Sequence, residues 1–181
     1  MNRVRRYAPT LTFPPYTYIS GRAPHPIRDP AGHAFGKEPE EVAPLNATDW
    51  HRSVVYQQGI DLFNAGYYWE AHEVWESLWK VALRGSCEQT LLLLLIKLAA
   101  AGVKAREGRA VGIARHAARA RELLDLLPSE REPFAGLSRA GIEQVIAAYE
   151  VLATQSVAKL AQFPATTEPV CVVEPALVLM E

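Results

Sequence analysis

The stretch Tyr67-Tyr-Trp-Glu-Ala-His-Glu-Val-Trp-Glu-Ser-Leu-Trp-Lys80 constrains the fold more than any other part of the chain. It contains Trp69, Trp75 and Trp79, three of the four tryptophans, and neither proline nor glycine interrupts it. At ~100° per residue, Tyr68, Trp69, His72, Trp75, Glu76 and Trp79 fall within about a third of a helix circumference. Tyr67, Ala71, Val74 and Leu78 form a second apolar arc, which leaves Glu70, Glu73, Ser77 and Lys80 as a narrow solvent strip. The pattern predicts a central helix buried on two sides, with Trp69 and Trp79 both largely inaccessible and the polar pair His72 and Glu76 set inside an aromatic face.

The segments on either side read as further helices joined by hairpin turns. A first helix is expected from about Asn46–Asp49 to Asn64, with Thr48 or Asp49 as N-cap, and Gly66 as its C-terminal stop. Ser86 and Glu88 suit the start of a third helix from about Cys87 to Arg106, closed by Gly108. A fourth runs from about Ala110 to Leu127 before Pro128, and a fifth opens at Ser138 and extends to somewhere between Leu152 and Phe163. No stretch alternates over enough length to build a sheet. The expected class is therefore all-α, a compact array of about five helices built on helical hairpins.

Residues 1–45 differ in kind. They carry eight of the thirteen prolines, a density that rules out a long helix or a central strand. Tyr7, Phe13, Tyr16, Tyr18 and Phe35 argue against plain disorder, which is poor in aromatics. The reading is an extended proline-rich arm laid across a helical domain at 46–163, followed by a tail at 164–181 that is either docked or frayed.

Composition excludes several function classes. Nineteen basic and twenty acidic residues leave a net charge of −1, so nucleic acid and anionic membrane are not indicated as partners. The most apolar run, Leu91–Val103, is interrupted by Lys97 and falls short of the ~20 residues that span a bilayer. Cys87 and Cys171 make neither a disulfide framework nor a metal-ligand spacing and suit a reducing cytoplasm. There is no GxSxG, P-loop, Rossmann glycine pattern or paired CxxC.

What remains is the polar pair. A histidine and a glutamate at i, i+4 can reach one metal ion. Further ligands would have to come from Glu73, from His25, Asp29 and His33 of the arm, or from His116 on the apolar face of the fourth helix. Two other readings stay open. One is a structural polar network in which Glu76 holds His72 or Arg28 to dock the arm, since buried polar groups need partners whether or not they do chemistry; the other is metal-free acid–base catalysis. Trp69 and Trp79 are packing residues of the motif. Lys97 and Lys104, seven apart, form with Thr90 and Ala101 a solvent strip on the third helix, unless Lys97 faces His72 and Glu76 as a charge partner or anion clamp. The arm segment Pro24–Gly36 is expected to fold over the central helix and bring Asp29 or His33 within ~6 Å of His72 or Glu76, as a charge partner must be to act on them.

The segment from Phe63 to Trp79, together with Leu94-Leu-Ile-Lys-Leu-Ala-Ala-Ala-Gly-Val-Lys-Ala-Arg-Glu-Gly108, resembles the domain-of-unknown-function family numbered 309. The family's His-x-x-x-Glu-x-x-Trp/Tyr pattern is met by His72, Glu76 and Trp79. The resemblance covers roughly residues 55–125 and implies a small all-helical fold in bacterial or archaeal cytoplasm, a metal-binding role for the motif, and no assigned activity. The proline-rich arm resembles that of a subgroup, and Lys97 stands where glutamine is more usual. The expected function is a cytoplasmic helical protein with a divalent-metal site, serving a hydrolase. The alternative is a non-enzymatic binding module for a small molecule or protein, in which His72 and Glu76 hold the arm.

Overall fold

The computed structural model describes residues 5–38, 40–130, 132–155, 160 and 166–180. Five α-helices follow in order: α1 Val54–Asn64, α2 Tyr68–Val81, α3 Cys87–Arg106, α4 Ala110–Asp125 and α5 Arg139–Ala153. Among the described residues there is no named strand, only the isolated bridges Phe134–Leu137 and Leu137–Leu179. The expected all-α class is what the chain adopts.

Local chemistry accounts for most of the boundaries. The Ser86 and Ser138 side chains accept hydrogen bonds from the amides of Gln89 and Gly141, which caps α3 and α5. α1 and α3 end alike. Tyr67 N–H donates to Leu62 O and Gly66 N–H to Phe63 O, while Arg109 N–H donates to Lys104 O and Gly108 N–H to Ala105 O, the six-to-one and five-to-two pattern that needs a left-handed residue. Gly66 has φ +85°, and a Cβ there would lie 2.6 Å from the Val170 carbonyl carbon, so glycine is required twice over.

The expected first helix is broken. Asn46 Oδ1 accepts from the Thr48 amide and hydroxyl, a short 3-10 turn occupies Trp50–Arg52, and α1 begins only after Ser53, whose hydroxyl accepts from Tyr56 N–H. The serine cap wins over continuation because it satisfies an amide that the preceding turn leaves open. α4 stops at Asp125, two residues before the expected Leu127. The expected end of α5 overlaps residues 156–159 and 161–165, which lie outside the described residues.

The central element is α3 rather than α2. Leu91, Leu92, Leu94, Leu95, Leu98, Ala99, Ala101 and Ala105 are all buried, and α3 packs against α2, α4 and α5. Only a helix apolar nearly all round can sit among three others. Ala101, expected in a solvent strip, is fully buried. α2 is covered by α1 and α3 and buries Tyr68, Glu70, Ala71, Trp75 and Leu78. Trp75 is 0% exposed, whereas Trp69 and Trp79 are half-buried, so the aromatic face rolls farther toward α1 than its composition implies. A Cβ on Gly59 would overlap the Trp75 indole and one on Gly102 the Tyr68 ring. These two glycines let α1 and α3 close on α2.

The tail docks. Asn64 Nδ2 donates to Leu177 O (2.7 Å) and its Oδ1 accepts from Leu177 N–H (2.9 Å). Val172 N–H donates to the Tyr68 hydroxyl (2.8 Å), Leu179 N–H to the Tyr7 hydroxyl (2.9 Å), and Val172, Leu177 and Leu179 are buried.

Replacing Trp75 by alanine should cost ~3–5 kcal/mol, and Gly102→Ala ~1–3 kcal/mol through overpacking. Trp79→Ala should cost clearly less than Trp75→Ala. Urea unfolding midpoints check the order, and equal losses at Trp75 and Trp79 would contradict the packing described.

Candidate functional site

Two polar groupings flank α2, one facing inward and one outward. The inner one is organised by Glu70, which the amphipathic pattern places in solvent but which is 5% exposed. Thr17 donates its hydroxyl to Glu70 Oε2 (2.8 Å) and Tyr18 its amide to Oε1 (2.7 Å). His33 Nε2 stands 3.8 Å from Oε1. Burial raises the Glu70 pKa above the usual carboxylate range, opposed by the Thr17 and Tyr18 hydrogen bonds and by the charge of Arg106. Arg106, itself buried, donates from Nη2 to Thr166 O and Glu168 O, and Thr17 N–H donates to Thr167 O. Core, arm and tail therefore meet around one carboxylate. Burial also pushes up the phenols of Tyr68 and Tyr149 behind it.

A second buried carboxylate holds the start of the arm. Asp61 accepts from Arg6 Nε (2.9 Å) and from the amides of Tyr7 (2.8 Å) and Ala8 (2.9 Å). Neither acid had been singled out in the sequence. Asp61 carried a usable signal, an acid embedded in the apolar run Ile60-Asp-Leu-Phe63. Glu70 carried none, because its partners lie more than fifty positions away.

The arm crosses α2 as expected, but at Trp69 and Glu70. Tyr18 and His25 pack edgewise on the Trp69 ring, with centroids 5.2 and 5.4 Å away. His25 Nδ1 accepts from the amides of Ile27 and Arg28, Asp29 Oδ1 accepts from Ala31 N–H, and the His33 ring meets Tyr16. His25 and Asp29 thus build turns of the arm itself. Among the described residues, no hydrogen bond or ion pair joins the arm to His72 or Glu76. Burial, and then the charge of Lys37, lower the His33 pKa.

The outer grouping contains the motif. His72 Nδ1 is shielded from solvent and lies 3.3 Å from Glu73 Oε1 in a geometry that makes no hydrogen bond. Glu76 accepts from Lys80 Nζ at 2.7 Å, one turn along the same helix. Trp79 packs on the core edge beside them. His116 approaches from α4, and its pKa is pushed down to about 4 by burial and by the charges of Arg115, Lys97, Lys104 and His72. Lys97, half-buried on α3, is close enough for its charge to act on His116. No group of three or more His, Cys, Asp or Glu among the described residues is placed to hold a metal ion.

Residues 56–116 match the family model described as Domain of unknown function (DUF309), about a third of the chain. The matched residues run from α1 into α4 and take in both flanks of α2, but not the arm or the tail. No curated protein and no solved structure matches the chain.

Two outcomes test this geometry. Glu70→Ala strands the Thr17 hydroxyl and the Tyr18 amide, at ~1–3 kcal/mol for each buried group left unpaired; limited proteolysis should then cut the arm near residues 16–37 faster than in the wild type, and an unchanged rate would count against the clasp. The second outcome is a pH dependence. The unfolded chain protonates His116 near 6.5 and the folded chain only near about 4, so between those values the unfolded state binds more protons and acid lowers stability. His33 acts in the same direction. Glu70 acts oppositely, since its raised folded pKa contributes stability that is present below the ordinary carboxylate range and lost as pH rises through the folded value. Replacing His116 by glutamine should flatten the acid limb of a plot of urea midpoint against pH; an identical limb would contradict the assignment.

Proposed function

We propose that this protein is a non-enzymatic binding module in which Glu70 and Asp61 clasp the arm and the outer flank of α2 meets the ligand. One observation carries this reading: the carboxylates on the inner side of α2 and on α1 are taken up by the chain's own arm, while the polar groups on the outer side of α2 pair along their own helix. Glu76 is held by Lys80, and His72 by proximity to Glu73. The half-buried indole of Trp79 beside them supplies apolar area of the kind recognition surfaces use. No described helix is long and apolar enough to cross a membrane, and the free thiols Cys87 and Cys171 fit a cytoplasmic setting.

The second reading is a divalent-metal centre serving a hydrolase. It draws on His72 and Glu76 one turn apart and on Glu73 Oε1 close to the imidazole. It requires Lys80 to release Glu76 and further donors to come from outside the grouping, because two side chains fall short of the three or four protein ligands of ordinary zinc sites.

Protein purified without a metal-affinity tag, then dialysed against zinc, manganese or ferrous iron, separates the two by elemental analysis. The binding module predicts metal well below one per chain, with His72→Ala no different from wild type. Stoichiometric metal that His72→Ala abolishes would overturn it in favour of the metal centre.

A further inference from the structure

α3 carries Lys97 and Lys104 two turns apart, and α4 sets His116 across from the interval between them. Two close approaches establish the register. A Cβ on Gly112 would lie 2.7 Å from Lys104 Cγ, which places Lys104 over the first turn of α4. His116 is four residues, ~6 Å, farther along α4, and because the hairpin is antiparallel this moves it back along α3 toward Lys97. On the other side of α3, Tyr68 sits against Gly102; His72, four residues on, is level with about residue 98. The result is a cluster of Lys97, Lys104, Arg115, His116 and His72 at the meeting of three helices.

The cluster is short of negative charge. Among the described residues Lys97, Arg115 and His116 make no hydrogen bond or ion pair, although Lys97 and His116 are half-buried. The nearby acids leave Lys97 and Arg115 uncovered: Glu73 lies beside His72, Glu76 pairs with Lys80, and one carboxylate, Glu107, is shared between Lys104 (2.7 Å) and Arg109 (3.3 Å). Cationic groups held together at a partly desolvated surface repel one another, and an anion placed among them removes that cost. The basicity of His116 is depressed first by its burial and only then by the neighbouring positive charges.

We propose that this face between α3 and α4 is a binding site for a small oxyanion of the phosphate type, held by Lys97, Lys104, Arg115 and His116. A tetrahedral dianion presents enough acceptor oxygens to meet two ammonium groups, a guanidinium and an imidazole at once, whereas a carboxylate presents two. An open groove of about 510 Å³ continues from Lys104 past Arg109, Val111 and Arg115. It leaves room for the organic part of a phosphate monoester. The site adjoins the flank of α2 but stands whether that flank binds a ligand or a metal.

Isothermal titration calorimetry at fixed ionic strength and near-neutral pH tests it, with inorganic phosphate, phenyl phosphate and acetate as probes. The expected result is saturable one-to-one binding of phosphate, weaker or absent binding of acetate, and affinity reduced ~10- to 100-fold by Lys97→Gln or His116→Gln, the loss of one charge-assisted contact. Lys37→Gln, on the exposed arm, should change nothing. Tighter binding of phenyl phosphate than of inorganic phosphate would identify a monoester as the ligand, and equal binding the free ion. Circular dichroism and melting confirm that each variant is folded. No saturable phosphate binding, or a loss at Lys37→Gln equal to that at Lys97→Gln, would overturn the proposal.

Discussion

The structure depends on how two carboxylates, Asp61 and Glu70, are kept out of water. A buried carboxylate without donors costs several kcal/mol; the amides around Asp61 are already bonded within α1, and α2 offers Glu70 only its own first-turn amide. The other donors come from the arm: Tyr7 and Ala8 amides with Arg6 for Asp61, the Tyr18 amide and Thr17 hydroxyl for Glu70. Prolines lack the N–H that such bonds need, and the arm's donors fall in two of its proline-free stretches, 5–8 and 16–23. The same prolines restrict the free arm, so less conformational entropy is lost when it docks. Proline spacing and acid placement are thus two sides of one arrangement.

That clasp decides which part of α2 remains open. Pinning Thr17 and Tyr18 to Glu70 lays the arm over Trp69 and over a strip that an isolated amphipathic helix would present to solvent. Trp75 is meanwhile taken into the core by the close approach of α1 at Gly59. Between the arm on one side and α3 on the other, His72, Glu73, Glu76 and Trp79 are left along a half-open edge. The motif is accessible because Glu70, two residues before His72, holds the arm to one side of it.

Features written in local chemistry were legible in the sequence. Ser86, Ser138, Gly66 and Gly108 announce helix ends because each acts on amides or carbonyls a few residues away, and these ends fall where expected. The first helix was misjudged because Thr48 and Asp49 look as good a cap as Ser53; only the Asn46 turn shows that the chain is not yet helical there. Orientation was less legible than spacing. His72 and Glu76 do share a face, yet Lys80 and Glu73 occupy them, and the acid that receives the arm is Glu70. A helical wheel assigns polarity relative to an assumed core and carries no information about an arm that arrives from fifty residues away. His116, expected on the apolar face of α4, is half-buried, and the charges that act on it are those of lysines and arginine as much as the motif histidine.

A net charge of −1 conceals this distribution. Asp61 and Glu70 lie inside, Glu76 and Glu107 pair with Lys80 and Lys104 along the helix rims, and Lys97 and Arg115 are left without an acid between α3 and α4. Whole-chain neutrality therefore says little about a single small anion, whose binding depends on fields that decay over about a Debye length of ~8–10 Å. The matched segment 56–116 contains Glu70, Lys97, Lys104, Arg115 and His116 but none of the arm residues that hold Glu70. It follows that the two halves of this design are separable: a chain with the matched helices and no such arm would have to satisfy or expose an acid at position 70, while the cationic face, built from α3 and α4 alone, would be unaffected.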